Sequence, residues 1–149
     1  MNPNELKDFL SKDDVISKII KEFSMLDDLL NIIIARYFVK NNREYAFVTL
    51  IMERLTFSNK LNILRKAKYQ KKYKSLEVIN FLERLSILRN YVAHNYSWSI
   101  HNNAFQKLLK RPDVLKLLEG FPLVFNKEVH RSIDRLGRLQ QTKDFLKKR

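Results

Sequence analysis

The chain contains no cysteine, only two glycines and three prolines among 149 residues, and sets 16 acidic side chains against 29 basic ones. Without a thiol it builds neither a disulfide framework nor a cysteine-based zinc site, and it bears no mark of an oxidising compartment. Residues 4–111 hold neither proline nor glycine, the two residues that punctuate turns and strands, which favours helices over a sheet. Residues 1–12 are polar and charged rather than an apolar signal core, and no apolar run approaches the roughly 18 residues of a membrane span. These absences predict a soluble, cytoplasmic, all-α protein with no membrane partner.

What the sequence does contain is apolar residues and positive charge. Hydrophobic residues make up 45% of the chain, enough for one sizeable core, and its length predicts a single domain over 1–149. A formal charge of +13 attracts a polyanion before any specific contact forms, so RNA, DNA or an acidic protein is the expected class of partner.

Apolar residues Val15, Ile19, Phe23, Leu26, Leu30, Ile33 and Tyr37 recur every three or four positions behind Asp13 or Asp14 as N-cap, predicting a long first helix that ends near Asn41 and Asn42. A second helical pattern covers about 44–55, and Ser58 then reads as the N-cap of a shorter helix carrying Leu61 and Leu64. Arg65, Lys66, Lys68, Lys71, Lys72 and Lys74, interleaved with Tyr69 and Tyr73, lack core periodicity and read as an exposed basic connection. Such a cluster is either a solvated loop or a nucleic-acid contact with bases stacked on its tyrosines. Ser75 reads as the cap of a fourth helix striped by Val78, Phe81, Leu82, Leu85, Leu88 and Val92. Beyond it come a helical segment at 104–110, a break at Pro112, a short turn over 113–119 stopped by Gly120, and a last helix capped by Asn126 that contains Val129, Ile133, Leu136 and Leu139. That helix ends in Lys143, Lys147, Lys148 and Arg149, which suit a helix C-terminus and extend the basic surface.

The fourth helix runs into Arg89-Asn90-Tyr91-Val92-Ala93-His94-Asn95-Tyr96. At about 100° per residue, Arg89 lies roughly 60° from the centre of the apolar stripe, while Asn90 and His94 lie about 160° away and so point off the core. Tyr96, seven positions after Arg89, superposes on it if the helix continues that far. An imidazole that titrates near neutrality can take a proton from a ribose 2′-hydroxyl or give one to a leaving 5′-oxygen without a metal. A guanidinium stabilises the charge that builds on phosphoryl oxygens in the transition state. The bland alternative is a surface arginine and a histidine that merely suits the helix C-terminus.

The string R-N-Y-V-A-H-N-Y resembles the R-x4-H-x-Y motif of HEPN ribonuclease toxins, and the helical pattern over about 13–125 is similar to that family's. An arginine followed five places later by histidine is expected roughly 0.2 times by chance in this composition; requiring the adjacent asparagine and final tyrosine lowers this below about one in a thousand. The resemblance implies an antiparallel helical bundle that dimerises so that two motifs line one cleft, with the basic helix at about 126–147 lying outside the family core. It implies a metal-independent endoribonuclease, a toxin or defence component that cuts single-stranded RNA, with Arg89 and His94 catalytic and Asn90 positioning. It also implies a nucleotidyltransferase antitoxin that silences the toxin by transferring AMP to Tyr96, where phosphate would block the cleft and neutralise its field.

Against that stand a non-catalytic HEPN module that binds RNA or nucleotide or serves as an adaptor, Tyr96 as a simple packing aromatic, and a helical DNA-binding regulator. The last fits poorly with a polar face of Asn, His and Tyr. His101 and His130 have no acidic or histidine companions at ligand spacing, and the chain has no H-E-x-x-H, so no metal site or cofactor is expected.

Overall fold

The computed structural model describes residues 1–67, 75–94 and 103–141. Lys68, Tyr69, Lys71, Lys72, Tyr73, Lys74, Tyr96, His101, Lys143, Lys147, Lys148 and Arg149, all singled out from the sequence, lie outside them. Among the described residues every regular element is helical: α1 (Pro3–Leu10), α2 (Asp13–Phe38), α3 (Glu44–Leu50), α4 (Phe57–Lys66), α5 (Ser75–His94), α6 (Asn103–Leu109), α7 (Pro112–Leu115) and α8 (Leu123–Gln141). Short 3-10 turns occupy Asn41–Arg43, Met52–Arg54 and Lys116–Leu118. None of these helices is long and apolar enough to cross a membrane.

Several boundaries differ from those the sequence predicts, each for a local reason. Helix α1 has no counterpart among the predicted elements. It begins with a reciprocal cap in which the Glu5 amide donates to Asn2 Oδ1 at 2.9 Å and the Asn2 amide donates to Glu5 Oε2 at 2.8 Å, with Pro3 fixing the first helical φ. Asp13 and Asp14 sit in the first turn of α2, where their charge offsets the exposed amides. The stretch predicted over 44–55 breaks at Ile51, whose backbone leaves helical values, so α3 gives way to a 3-10 turn. Thr56, not Ser58, caps α4: its Oγ1 accepts from the Asn59 amide at 3.2 Å. Asn126 is likewise no cap, because the Val124 and Asn126 amides already donate to the Gly120 and Pro122 carbonyls at 3.0 and 2.9 Å and α8 starts three residues earlier.

Contacts divide the chain into two compact units. The first comprises Met1–Ser24 and Arg84–Lys127. Its interior is Leu6, Leu10, Val15, Ile19 and Phe23 from α1 and α2, Leu85, Leu88, Tyr91 and Val92 from α5, and Phe105, Leu108, Val114, Leu117, Leu118 and Phe125 beyond. Phe121 meets the Phe9 ring edge-on at 5.4 Å and the Phe125 ring at 5.3 Å. The turn before α8 needs Gly120, whose φ is +68° and whose Cβ, if present, would lie 2.6 Å from Val124 Cγ2.

The second unit contains Met25–Glu83 and the chain from Glu128 onward. Leu26, Leu30, Ile33, Ile34, Met52, Leu61, Leu64, Val78, Ile79, Phe81, Leu82, Val129, Leu136 and Leu139 form its core. Each such side chain, once buried, contributes about 2 kcal/mol against the cost of ordering it. Among the described residues one cation enters this core: Lys60 is 3% exposed and its Nζ donates to Asp27 Oδ1 at 2.8 Å, tying α4 to α2. At the periphery Arg36 donates to Glu44 at 2.8 Å and Arg135 pairs with Glu77 at 2.6 Å.

Candidate functional site

Arg89 to His94 of the motif occupy the last two turns of α5, within the first unit, and its Asn95 and Tyr96 lie outside the described residues. Leu85, Leu88, Tyr91 and Val92 are buried and fix the helix's rotation, which leaves Asn90 and His94, four residues apart, both exposed. Tyr91 was not part of the predicted stripe. It packs against Phe105 with ring centroids 5.9 Å apart, and burial pushes its phenol up to about 12.

Arg89 is half-buried. Its guanidinium carbon lies 5.1 Å from the centroid of the Phe23 ring on α2, a cation–π contact that orients the guanidinium. Its Nε is enclosed and has no hydrogen-bond partner among the described residues. Its Nη1 donates to Asn90 Oδ1 at 3.0 Å in an exposed contact. The arginine therefore has one side held by an aromatic ring and a neighbouring amide, and its Nη end lies at the surface, where an anion would meet it. Nothing in the sequence pairs Phe23 with Arg89: Phe23 reads there only as one more core residue of α2, since 66 positions separate the two partners.

The structure thus brings Arg89 and Asn90 into contact and leaves His94 exposed at the end of the same helix. Of the basic cluster, Arg65 and Lys66 are exposed in the last turn of α4, in the second unit. Arg65 Nη1 donates to Asn62 Oδ1 at 2.9 Å and its Nη2 pairs with Glu83, so part of its charge is already compensated. His130 is exposed on α8. Among the described residues no three His, Cys, Asp or Glu side chains gather as a metal-binding group. Outside the motif, Arg84 Nη1 donates to the Asp113 carbonyl at 3.4 Å, and Arg111 grips the Asp113 carboxylate through Nε at 2.9 Å and Nη2 at 2.7 Å. The side-chain hydrogen bond from Arg111 is the main cause that lowers the Asp113 carboxyl from 3.8 to about 2.

Compared with protein-family models, curated proteins and solved structures, the chain matches none.

Proposed function

We propose that the chain is a HEPN-type, metal-independent endoribonuclease that cuts single-stranded RNA as a homodimer, with Arg89 and His94 catalytic and Asn90 positioning. The observation that carries this reading is the Arg89–Asn90 contact on α5 with His94 exposed one turn later, in a string that keeps the R-x4-H-x-Y spacing.

In this reaction His94 takes the proton from a ribose 2′-hydroxyl and the 2′-oxygen attacks the adjacent phosphorus. The bond to the 5′-oxygen breaks, and that oxygen leaves with a proton supplied by a protonated imidazole, giving a 2′,3′-cyclic phosphate and a 5′-hydroxyl end. Arg89 stabilises the phosphoryl oxygens as negative charge accumulates, and its hold on Phe23 and Asn90 means that little reorganisation is needed when that charge appears. The +13 charge draws RNA to the surface without regard to sequence. Modification of Tyr96 with AMP by a nucleotidyltransferase antitoxin belongs to the same reading and would silence the site.

The test is cleavage of varied single-stranded RNAs in EDTA by wild type and His94→Ala, purified side by side. Wild type is expected to cut, and His94→Ala to lose cleavage while its far-ultraviolet circular dichroism stays helical. Equal cutting by both proteins points to a contaminant and removes the assignment. Salt-sensitive RNA binding without cleavage in either protein makes this a non-catalytic RNA-binding module instead.

A further inference from the structure

Arg89 differs from the other half-buried arginines in what holds it. Arg36 and Arg135 are each taken up by a glutamate, Glu44 at 2.8 Å and Glu77 at 2.6 Å, which cancels their charge where it sits. Arg84 donates to the Asp113 carbonyl. Arg89 forms no ion pair with a described residue, and its enclosed Nε has no hydrogen-bond partner among them. Its bond to Asn90 Oδ1 joins adjacent residues in an exposed contact, where water competes for both groups. The firm contact is the Phe23 ring, 5.1 Å from the guanidinium carbon. Phe23 is 6% exposed and belongs to the row Val15, Ile19 and Phe23 that α2 buries in the first unit, so packing fixes the ring independently of Arg89.

We infer that Phe23 is a positioning residue of the cleavage site: its ring fixes the Arg89 guanidinium in place while leaving the charge uncancelled for a phosphodiester. This rests on Arg89 and His94 being the catalytic pair, and it adds to them a residue of α2 that no motif spacing includes. A carboxylate in the place of the ring would hold Arg89 as firmly, but its full negative charge would cancel the field that the phosphoryl oxygens must feel. An aliphatic side chain would fill the same space and spare the charge, yet give the cation nothing to be attracted to. A phenyl ring has no net charge and attracts the cation through its quadrupole, whose field falls off steeply, so the field at the Nη end stays nearly whole. Only the aromatic residue does both. The consequence falls on kcat rather than KM. RNA is drawn in by the charge of the whole chain, whereas the position of the guanidinium matters most as negative charge builds in the transition state.

The test replaces Phe23, by nonsense suppression, with phenylalanines carrying one, two and three ring fluorines, which keep the shape and apolar character of the ring while weakening the negative potential of its face. RNA cleavage is expected to lose kcat stepwise, by up to about tenfold at three fluorines, with KM and the thermal midpoint nearly unchanged. The same replacements at Phe81, buried in the core of the second unit, are expected to leave kcat unchanged. A second measurement needs no cleavage: by nitrogen-15 NMR the enclosed Arg89 Nε–H should exchange slowly with water in wild type and clearly faster in Phe23→Leu. A wild type that cuts RNA while kcat stays flat across the series at Phe23, or falls equally at Phe81, overturns the role of Phe23 and leaves the catalytic pair standing. Equal Nε–H exchange in wild type and Phe23→Leu overturns it as well. A wild type that cuts no RNA removes the catalytic pair itself, and the role of Phe23 with it.

Discussion

Asp113 and Arg111 form a two-point fork between side chains that are nearly half exposed. The carboxyl is held near pH 2, below its ordinary 3.8, chiefly by the Arg111 hydrogen bond. A carboxyl lowered on folding contributes stability that is complete above its unfolded value and is lost as pH falls through about 2; exposure keeps that contribution small. Carbon-13 titration of the Asp113 carboxyl should show a midpoint near 2 in wild type and a clearly higher one in Arg111→Ala. A midpoint that ignores the substitution would rule out Arg111 as the cause. At this scale the sequence is informative where spacing alone decides. The positions of Arg89, Asn90 and His94 on α5 follow from the 3.6-residue period, and the exposure of the last two agrees with it. The Phe23 ring beneath Arg89 was not legible, because two helices distant in sequence must meet before the contact exists.

Helix boundaries depend on single side-chain hydrogen bonds, and around α4 the sequence offers competing signals. Thr56 and Ser58 are both good cap residues two positions apart, and only the 3.2 Å contact to the Asn59 amide chooses between them. Thr56→Ala should therefore lower the unfolding free energy in urea by about 1 kcal/mol, while Ser58→Ala should change it by only a few tenths. Equal losses would put the cap elsewhere. The start of α1 was legible in principle: Asn2, Pro3 and Glu5 spell a cap, a first helical proline and the reciprocal acid, but the charged character of residues 1–12 masks that signal. The break at Ile51 has no such marker, since 44–55 is continuously helix-compatible and the turn at 52–54 buries Met52.

Over the whole chain, scarce glycine and proline foretold the all-helical class, and apolar periodicity foretold most of the core. The division into two compact units was not visible, because α2, α5 and α8 are continuous helices that each contribute to both and no linker marks the passage. Global stability should carry one alkaline signature. The Tyr91 phenol ionises near its ordinary 10.0 when unfolded and near 12 when folded, so its contribution is whole below pH 10 and disappears as pH rises toward 12. Urea unfolding of wild type should accordingly lose on the order of 2 kcal/mol relative to Tyr91→Phe across that window. Parallel curves for the two proteins would show that the phenol does not titrate with folding. The ammonium of Lys60, shut in against Asp27, supplies a gauge of a different kind. An amine-acylating reagent should mark surface lysines such as Lys40 and Lys66 at once and reach Lys60 only when the second unit opens. Its labelling rate, followed by peptide mass spectrometry, would then clock the opening of that unit in dilute buffer with no denaturant added.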